Sequence, residues 1–526
     1  MSRLFETQNS RGFIDPTLRS LCGVIEIQPL RGCKKSVFYQ TRAIIKNTKM
    51  KRVLLQTVFF ACFGLLCGMA YGQGTGALYM NNFDGWQSMI RYHKRASNYI
   101  TYSWALMGTQ NHFAITDIMG VIIDANVTEG YFVNDFEVID GYVFFCGQNA
   151  SMSGFLGWFD IDKLFYGTGR VHIDETLSLH GIESLDNIEV YLDRLERIHI
   201  AGLGQHIVSG LPTTYKAFEA VGDPAVGMQY RVADLSANEL NPTLTVTEDY
   251  VVYVSRTTNA ASSYYGVGVV LEPFPKNDMF AMATHPSFLF QTIALMHCNE
   301  NMVPDACDPF GIHLKAVAKT ENTIAVCNYR TGSMCTGSDV YQADTVYNLV
   351  IREFDLSPLL VSNPIQMMSD SRISLPFGVS DIRELKYDPL TKQYVVLFHH
   401  EVLSGTWRDA ILTADYSPGY ALSPVRVDYQ SAFPNWRGWS LCLNGSSRYT
   451  VTGWDNTYYN YHFWQDDIPS VSGVCNDINW YVVASKSPEI DKKNVEMSNV
   501  VGWYNLNFVP NREVELYFSN NSLICN

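Results

Sequence analysis

Hydrophobic and polar residues alternate in short segments along most of the chain, and turn-forming residues separate these segments. Residues 134–162 show this unit most clearly. An alternating segment leads into Asp140-Gly141, an apolar strand is predicted over residues 142–145, and a third strand over residues 155–161. Asp-Gly favours a two-residue hairpin turn because both residues tolerate positive φ. The stretch therefore predicts an antiparallel unit of at least three strands.

Weaker copies of this unit recur along the chain and predict an all-β fold. Their spacing suits four-stranded blades of about 40–50 residues that carry insertions. A seven-bladed β-propeller is predicted over residues 73–526, and the alternative is a pair of tandem β-sandwich domains. Strand-like segments within residues 478–524 are expected to complete the ring or add an eighth unit. The predicted hairpin turns are Ser97-Asn98, Asp140-Gly141, Arg194-Leu195, Glu248-Asp249, Glu321-Asn322, Leu390-Thr391 and Asn444-Gly445.

Local patterns add two predictions. Phe354-Asp355-Leu356 echoes Phe159-Asp160-Ile161 at the ends of corresponding strands. Asp160, Asp162 and Asp355 are expected to cap turns or to form hydrogen bonds within the blade rather than to bind calcium. The apolar residues 288–296 are short enough to favour a strand over a helix.

The N-terminal region has a different composition from the rest. Residues 1–72 hold 11 of the 38 basic and 3 of the 52 acidic residues, so the remainder is more acidic than the overall net charge of −14 indicates. Such an acidic body argues against nucleic acid as a partner, because that binding needs basic surface.

An export signal is predicted within this basic region. Lys51-Arg52 precede an apolar run that ends near Ala70-Tyr71-Gly72, which is the pattern of a secretory signal peptide over residues 50–72. Residues 1–49 are then expected to be a non-native extension, with Met50 as the start. The alternative is an uncleaved anchor. We expect a periplasmic or extracellular protein with no membrane span after signal cleavage.

Export to an oxidising compartment permits disulfides. The nearest pairs in sequence are Cys298 with Cys307 and Cys327 with Cys335, and Cys442 with Cys475 is a further candidate. Cys146 lies in an apolar strand and is expected to be a buried thiol. The cysteine spacing matches no zinc site.

The export signal, the acidic Tyr-rich body and the pattern YVFFCG…GFLGWFDI at residues 142–161 resemble the secreted propeller-like proteins of gut Bacteroidetes. Some members of that group take part in carbohydrate utilisation or are displayed at the cell surface. The resemblance brings no catalytic residues with it.

Aromatic residues concentrate late in the chain, where they predict a glycan-binding surface. Trp and Tyr rings can stack on sugars while Asp side chains bind hydroxyl groups, although the same rings could fill the space between blades. The candidate residues are Trp436, Trp439, Trp454, Asp455, Tyr458, Tyr459, Trp464, Asp466 and Asp467.

The sequence contains no recognised catalytic, metal-binding or cofactor-binding motif. We therefore predict no metal and no cofactor and assign no catalytic residues. His399 and Glu401 could share one face of a strand, but an ordinary strand role is favoured for His399. The leading hypothesis is a secreted, non-catalytic binding or scaffold protein for glycans or envelope proteins. The alternative is a glycoside hydrolase or lyase at the axial end of the propeller. Two or three carboxylates that converge in a pocket at the channel mouth, with Trp or Tyr beside them, would favour the enzyme, whereas a channel plugged by apolar side chains would argue against it.

Overall fold

The structure is a computed structural model, and all residues that it describes lie within the compact unit Gln73–Asn526. The described residues are 77–81, 86–104, 111–116, 121–126, 130–165, 170–193, 195–207, 213–224, 227–235, 240–259, 266–276, 285–292, 314–329, 349–363, 365–373, 379–403, 406–415, 424–430, 436–455, 460–468, 476–486, 490–497, 502–505, 512–513 and 515–525.

These residues form strands almost throughout. The strands are β1 (Ala77–Asn81), β2 (Trp86–His93), β3 (Asn98–Trp104), β4 (Asn111–Thr116), β5 (Val121–Asn126), β6 (Tyr131–Ile139), β7 (Tyr142–Asn149), β8 (Gly154–Asp160), β9 (Arg170–Asp174), β10 (Ser184–Leu192), β11 (Ile198–His206), β12 (Thr214–Asp223), β13 (Gly227–Asp234), β14 (Leu240–Val246), β15 (Tyr250–Asn259), β16 (Gly266–Pro275), β17 (His285–Thr292), β18 (Lys315–Thr320), β19 (Thr323–Tyr329), β20 (Leu349–Asp355), β21 (Gln366–Ile373), β22 (Val379–Asp388), β23 (Gln393–Leu403), β24 (Thr406–Asp415), β25 (Pro424–Gln430), β26 (Trp436–Leu443), β27 (Arg448–Asp455), β28 (Asn460–Asp467), β29 (Asn476–Lys486), β30 (Ile490–Met497), β31 (Gly502–Asn505), β32 (Arg512–Glu513) and β33 (Glu515–Cys525).

Helical structure in the described residues is short. The α-helix α1 covers Ile161–Phe165, and two 3₁₀ turns cover Thr176–His180 and Ser357–Val361. The strand predicted over residues 288–296 is confirmed as far as Thr292, and the residues after it lie outside the described ones.

Consecutive strands form antiparallel meanders that stand around a common axis. Within the described residues, six of them contain four strands each: β2–β5, β6–β9, β10–β13, β14–β17, β18–β21 and β22–β25. Strands β26–β28 form a further meander, in which β28 pairs with β1 from the start of the domain. The first strands β2, β6, β10, β14, β18, β22 and β26 contact one another in this order, and β26 returns to β2.

This arrangement is a β-propeller, as predicted, and not a pair of β-sandwiches. The predicted count of seven blades stays a prediction, because β26–β28 take their fourth strand from elsewhere and share one sheet with β2–β5. The strand-like character of residues 478–524 is confirmed where they are described, and of the two roles expected for them the described strands do not form an eighth unit. Strands β29–β33 build no further blade and instead add to the sheets that earlier strands form.

The predicted hairpin turns lie between the first and second strands of the meanders, and of their residues only Arg194 lies outside the described ones. Asp140 and Gly141 have φ values of 45° and 85°, as a type I′ turn requires. Positive φ also occurs at Ser97, Glu196, Lys392 and Gly445, in four of the other turns. Local turn chemistry therefore determined where the first hairpin of each of these meanders lies.

The aspartates at the ends of the third strands cap turns, as predicted. Asp160 Oδ1 accepts a hydrogen bond from Lys163 N at 3.2 Å, and Asp355 Oδ1 accepts one from Ser357 N at 2.9 Å. The next residue in each repeat, Ile161 or Leu356, is buried and donates its backbone N–H to the hairpin turn of its own meander. This hydrogen bond links the turn between the first and second strands to the turn between the third and fourth strands.

The second strand of each meander contributes side chains to two hydrophobic cores, one on each face of its sheet. In β15, Val252 and Val254 pack towards the next meander, whereas Val251 and Tyr253 pack towards the preceding one. Alternate side chains of a strand point to opposite faces, so a continuous apolar run is what a sheet covered on both sides needs. This explains why the second strands read as unbroken apolar segments.

Buried tyrosines link successive meanders through carboxylates. The Tyr230 hydroxyl donates to Asp174 Oδ2 at 2.6 Å, Tyr394 to Glu353 Oε1 at 2.6 Å, and Tyr449 to Asp428 Oδ2 at 3.0 Å. In each pair the tyrosine belongs to the later meander. The bonds satisfy carboxylates that burial would otherwise destabilise.

Tyr230→Phe should destabilise the propeller by about 2 kcal/mol, because it removes a hydrogen bond to a buried carboxylate. Tyr142→Phe is the matched control, since Tyr142 packs against the same core cluster from a more exposed position. The control should change the free energy of unfolding by less than about 0.5 kcal/mol. Urea unfolding of both variants measures the difference, and equal effects would contradict this role for Tyr230.

Candidate functional site

The first strand of each meander faces the axis of the ring, and we call these the inner strands. β-Bulges distort several of them. The register shifts between Val133 and Asp135 in β6, between Leu185 and Asn187 in β10, between Ile382 and Glu384 in β22, and between Gly438 and Ser440 in β26. A bulge bends the strand and re-aims the side chains near it, and such irregularities are frequent at functional sites. The residue after each of these bulges is polar.

Arg91 of β2 contacts polar side chains from three other strands near these bulges. Its Nη2 lies 2.7 Å from Asp135 Oδ1, its Nε lies 2.5 Å from Glu137 Oε1, and its Nη1 lies 3.8 Å from Glu384 Oε1. Nη1 also donates to Ser440 Oγ at 3.4 Å. One guanidinium group therefore joins β2 to β6, β22 and β26. We call Arg91, Asp135, Glu137, Glu189, Glu384 and Lys386 the central cluster.

Asp135 is the most enclosed carboxylate of the central cluster. Its Oδ2 accepts hydrogen bonds from Asn187 Nδ2 at 2.7 Å and from Ile188 N at 3.0 Å, and its Oδ1 accepts one from Phe136 N at 2.9 Å. Burial raises the pKa of Asp135 to about 6, although Arg91 opposes the shift. Asp135 thus holds β6 and β10 together in addition to pairing with Arg91.

Glu137, Glu189 and Lys386 form the more accessible part of the central cluster. The side chains of Glu137 and Lys386 are 21% and 26% exposed, and Glu189 is also partly exposed. Lys386 Nζ lies 3.6 Å from Glu384 Oε2. This part offers carboxyl oxygen atoms and an ammonium donor to a molecule that enters the ring.

The carboxylates of the central cluster differ in acidity. Burial and the nearby Glu137 carboxylate raise the pKa of Glu189 to about 8. Burial would also raise the pKa of Glu384, but Lys386 and Arg91 outweigh it and lower that pKa below its usual value. Near neutral pH the two groups therefore hold different protonation states, which is an arrangement found in acid–base sites.

His399 is part of a structural bridge. Its Nδ1 contacts Asp409 Oδ1, and Arg437 Nη1 lies 2.7 Å from its Nε2. Asp409 Oδ2 in turn accepts a hydrogen bond from Gly438 N at 2.5 Å. The imidazole therefore connects β23 and β24 to β26. The side chain of Glu401 is not described, so the shared face with His399 stays a prediction.

The predicted aromatic surface maps to the β26–β28 meander. Trp436 is 1% exposed in the core cluster with Leu397 and Val451, and its ring fills the space where a side chain at Gly453 would lie. It cannot stack on a ligand from that position. Trp439 is partly exposed, and the Arg383 guanidinium lies 4.6 Å from its ring centre.

The other members of the aromatic set stay a prediction. Trp454 and Asp455 lie in β27, and Trp464, Asp466 and Asp467 lie in β28, where only their backbone is described. Tyr458 and Tyr459 lie outside the described residues.

The described cysteines do not support the predicted disulfides. Cys327 and Cys442 are free thiols buried in core clusters, as is Cys146. Burial raises the pKa of the Cys442 thiol to about 12, although Arg91 and Lys386 oppose the shift. The remaining candidates, Cys298, Cys307, Cys335 and Cys475, lie outside the described residues.

Sequence reasoning missed the central cluster although a signal was present. Polar and apolar residues alternate as Asp135-Phe136-Glu137-Val138 in β6, and β10 and β22 repeat the pattern in Asn187-Ile188-Glu189-Val190 and Glu384-Leu385-Lys386-Tyr387. Each copy precedes a predicted hairpin turn. Comparison of the strands before the turns would have found these residues.

No family model and no curated protein matches this chain. The described residues contain no group of three or more His, Cys, Asp or Glu side chains that could hold a metal ion. No helix in the described part of the chain is long and apolar enough to cross a membrane.

Arg91→Lys should destabilise the protein by about 3 kcal/mol, because a lysine cannot pair with Asp135, Glu137 and Glu384 through a planar fork. Arg95→Lys in the exposed turn after β2 is the control and should have little effect. Thermal unfolding of the two variants checks the prediction. Similar melting temperatures would show that Arg91 does not hold the inner strands together.

The contribution of Glu189 to the stability of the protein should fall as the pH rises from about 4.5 to about 8. Because the folded pKa of Glu189 is about 8 and its ordinary value is 4.5, this group binds more protons in the folded state than in the unfolded state in this window. Glu189→Gln should remove about 1 kcal/mol of this decline, a value discounted for partial exposure. Asp135, with a pKa of about 6, should keep a smaller decline at the acidic end.

The free energy of unfolding at pH 5 and at pH 8.5 measures this effect. Glu196→Gln, in an exposed turn, is the control and should leave the decline unchanged. An undiminished decline in Glu189→Gln would assign the proton uptake to another group.

Proposed function

We propose that the protein is a non-catalytic binding propeller that takes a hydroxyl-rich ligand of the glycan class at the central cluster. The observation that carries the proposal is the position of Glu137, Glu189 and Lys386, which are partly exposed on three inner strands. The predicted export signal fits a ligand met outside the cell. An envelope protein is the other partner that the sequence suggests.

The chemistry of the exposed groups supports a hydroxyl-rich ligand. Carboxylate oxygens accept hydrogen bonds from hydroxyl groups, and the Lys386 ammonium can donate to ring or hydroxyl oxygens. The enclosed members, Arg91 and Asp135, hold the strands that present these groups. A few fixed polar groups on a rigid framework are the usual means of orienting a small ligand.

A glycoside hydrolase is the second candidate, and the acidity of two carboxyl groups favours it. Glu189, with its raised pKa, would act as the general acid, and the ionised Glu384 would act as base or nucleophile. Glycoside hydrolysis uses such a pair of carboxyl groups on either side of the scissile bond. The binding role is preferred because Glu384 already pairs with Arg91 and Lys386.

Glycan-array screening followed by calorimetry with the best oligosaccharide tests the binding role. Glu137→Gln and Lys386→Met should each weaken binding at least about tenfold, or 1.4 kcal/mol. Glu248→Gln, in an exposed turn, is the control and should bind normally.

Mass spectrometry of the same mixtures separates binding from hydrolysis. Intact oligosaccharide after long incubation is expected. Shortened products that disappear in Glu189→Gln would establish the hydrolase instead. An array without any bound glycan would overturn the glycan proposal and leave an envelope protein to be sought by pull-down.

A further inference from the structure

The strands near the C-terminus lie along the outer edges of the propeller sheets. We call residues 476–525 the C-terminal strap, of which the structure describes strands β29–β33. Its strands pair antiparallel with the outer strands of the meanders in reverse chain order: β29 with β25 and β21, β30 with β17, β31 with β13, β32 with β9, and β33 with β5 and β1. The described strands of the strap thus pair with every sheet of the ring.

The two longest strap strands each join neighbouring meanders. In β29, residues 476–482 pair with β25 and residues 483–486 pair with β21. In β33, residues 515–520 pair with β5 and residues 521–525 pair with β1. The two nine-stranded sheets exist only because these strands cross from one meander to the next.

The strap strands bind the meanders by strand addition, in which an extended segment pairs through its main chain with the edge of a sheet. The outer strand of an open sheet presents a row of unpaired N–H and C=O groups, which is a template for another extended chain. Main-chain hydrogen bonds supply the affinity in such complexes. Strap and meanders are joined covalently through one connection, between Ile468 and Asn476, so the strap could leave its sheets without breaking any meander.

We propose that the outer edges of the propeller are a binding surface for the C-terminal strap and that they accept the strap of a second copy of this chain. Exchange of the strap between copies preserves all the backbone pairs that the structure shows, because each set of edges receives the same segment. The cost is confined to opening the cis pairs. This proposal is independent of the central cluster and of any ligand there.

A cleavable full-length chain gives the test. A protease site is placed in residues 469–475, and the chain is purified intact and then cut. The strap should stay bound through gel filtration, and a fluorescent synthetic peptide of residues 476–525 should replace it over time. Loss of the strap on cutting with no binding of the peptide would overturn the proposal, as would a retained strap that never exchanges even in mild denaturant.

Backbone methylation of the peptide supplies a matched pair of probes. Neighbouring residues of an edge strand direct their N–H groups alternately towards and away from the sheet. One peptide carries N-methyl groups at Ile478, Trp480 and Val482, and the other carries them at Asp477, Asn479 and Tyr481. One should bind at least about tenfold more weakly than the unmodified peptide and the other within about threefold. Equal binding of both would exclude strand addition.

Exchange between whole chains is measured with two copies that carry different affinity tags. Incubation of the mixture in mild denaturant and return to buffer should yield particles that hold both tags. Pre-cut chains freed of their straps should lose this co-purification. Separate recovery of the two tags under all conditions would restrict the strap to its own chain and overturn the exchange.

Discussion

The apolar character of both faces of each meander is the constraint on which this structure depends. Val395 and Leu397 of β23 face one neighbour, while Val396 and Phe398 of the same strand face the other. A sheet of this kind cannot stand alone in water, because burial of either face requires another sheet. Successive meanders therefore cover one another, and the series has no exposed apolar end only when it closes on itself.

Closure uses backbone pairing in two places. Strand β1, from the start of the domain, completes the meander that β26–β28 begin. The C-terminal strap then crosses the outer strands and joins neighbouring sheets through β29 and β33. Apolar packing between sheets is not directional, whereas these hydrogen bonds fix register and order. The buried pairs Tyr230–Asp174 and Tyr394–Glu353 add the same kind of specificity inside the interfaces.

The inner strands are less completely covered by apolar neighbours than the second strands are, and the candidate site lies on them. They face the axis of the ring, where polar side chains can remain partly hydrated. Arg91 and Lys386 balance only part of the charge of the carboxylates gathered there. Restricted hydration and uneven pairing separate the acidities of Glu189 and Glu384, and the bulges of β6, β10, β22 and β26 fix where these groups lie.

The sequence by itself determined the all-β class and the positions of the hairpins, because turn residues such as Asp140-Gly141 and period-two alternation act locally. It also contained the caps at Asp160 and Asp355. Only the tertiary structure decided that Trp436 is core rather than binding surface and that the last strands form a strap. It alone brought Arg91 to Ser440, which lies far along the chain. Contacts across a closed ring join residues distant in sequence, and no local pattern carries that information.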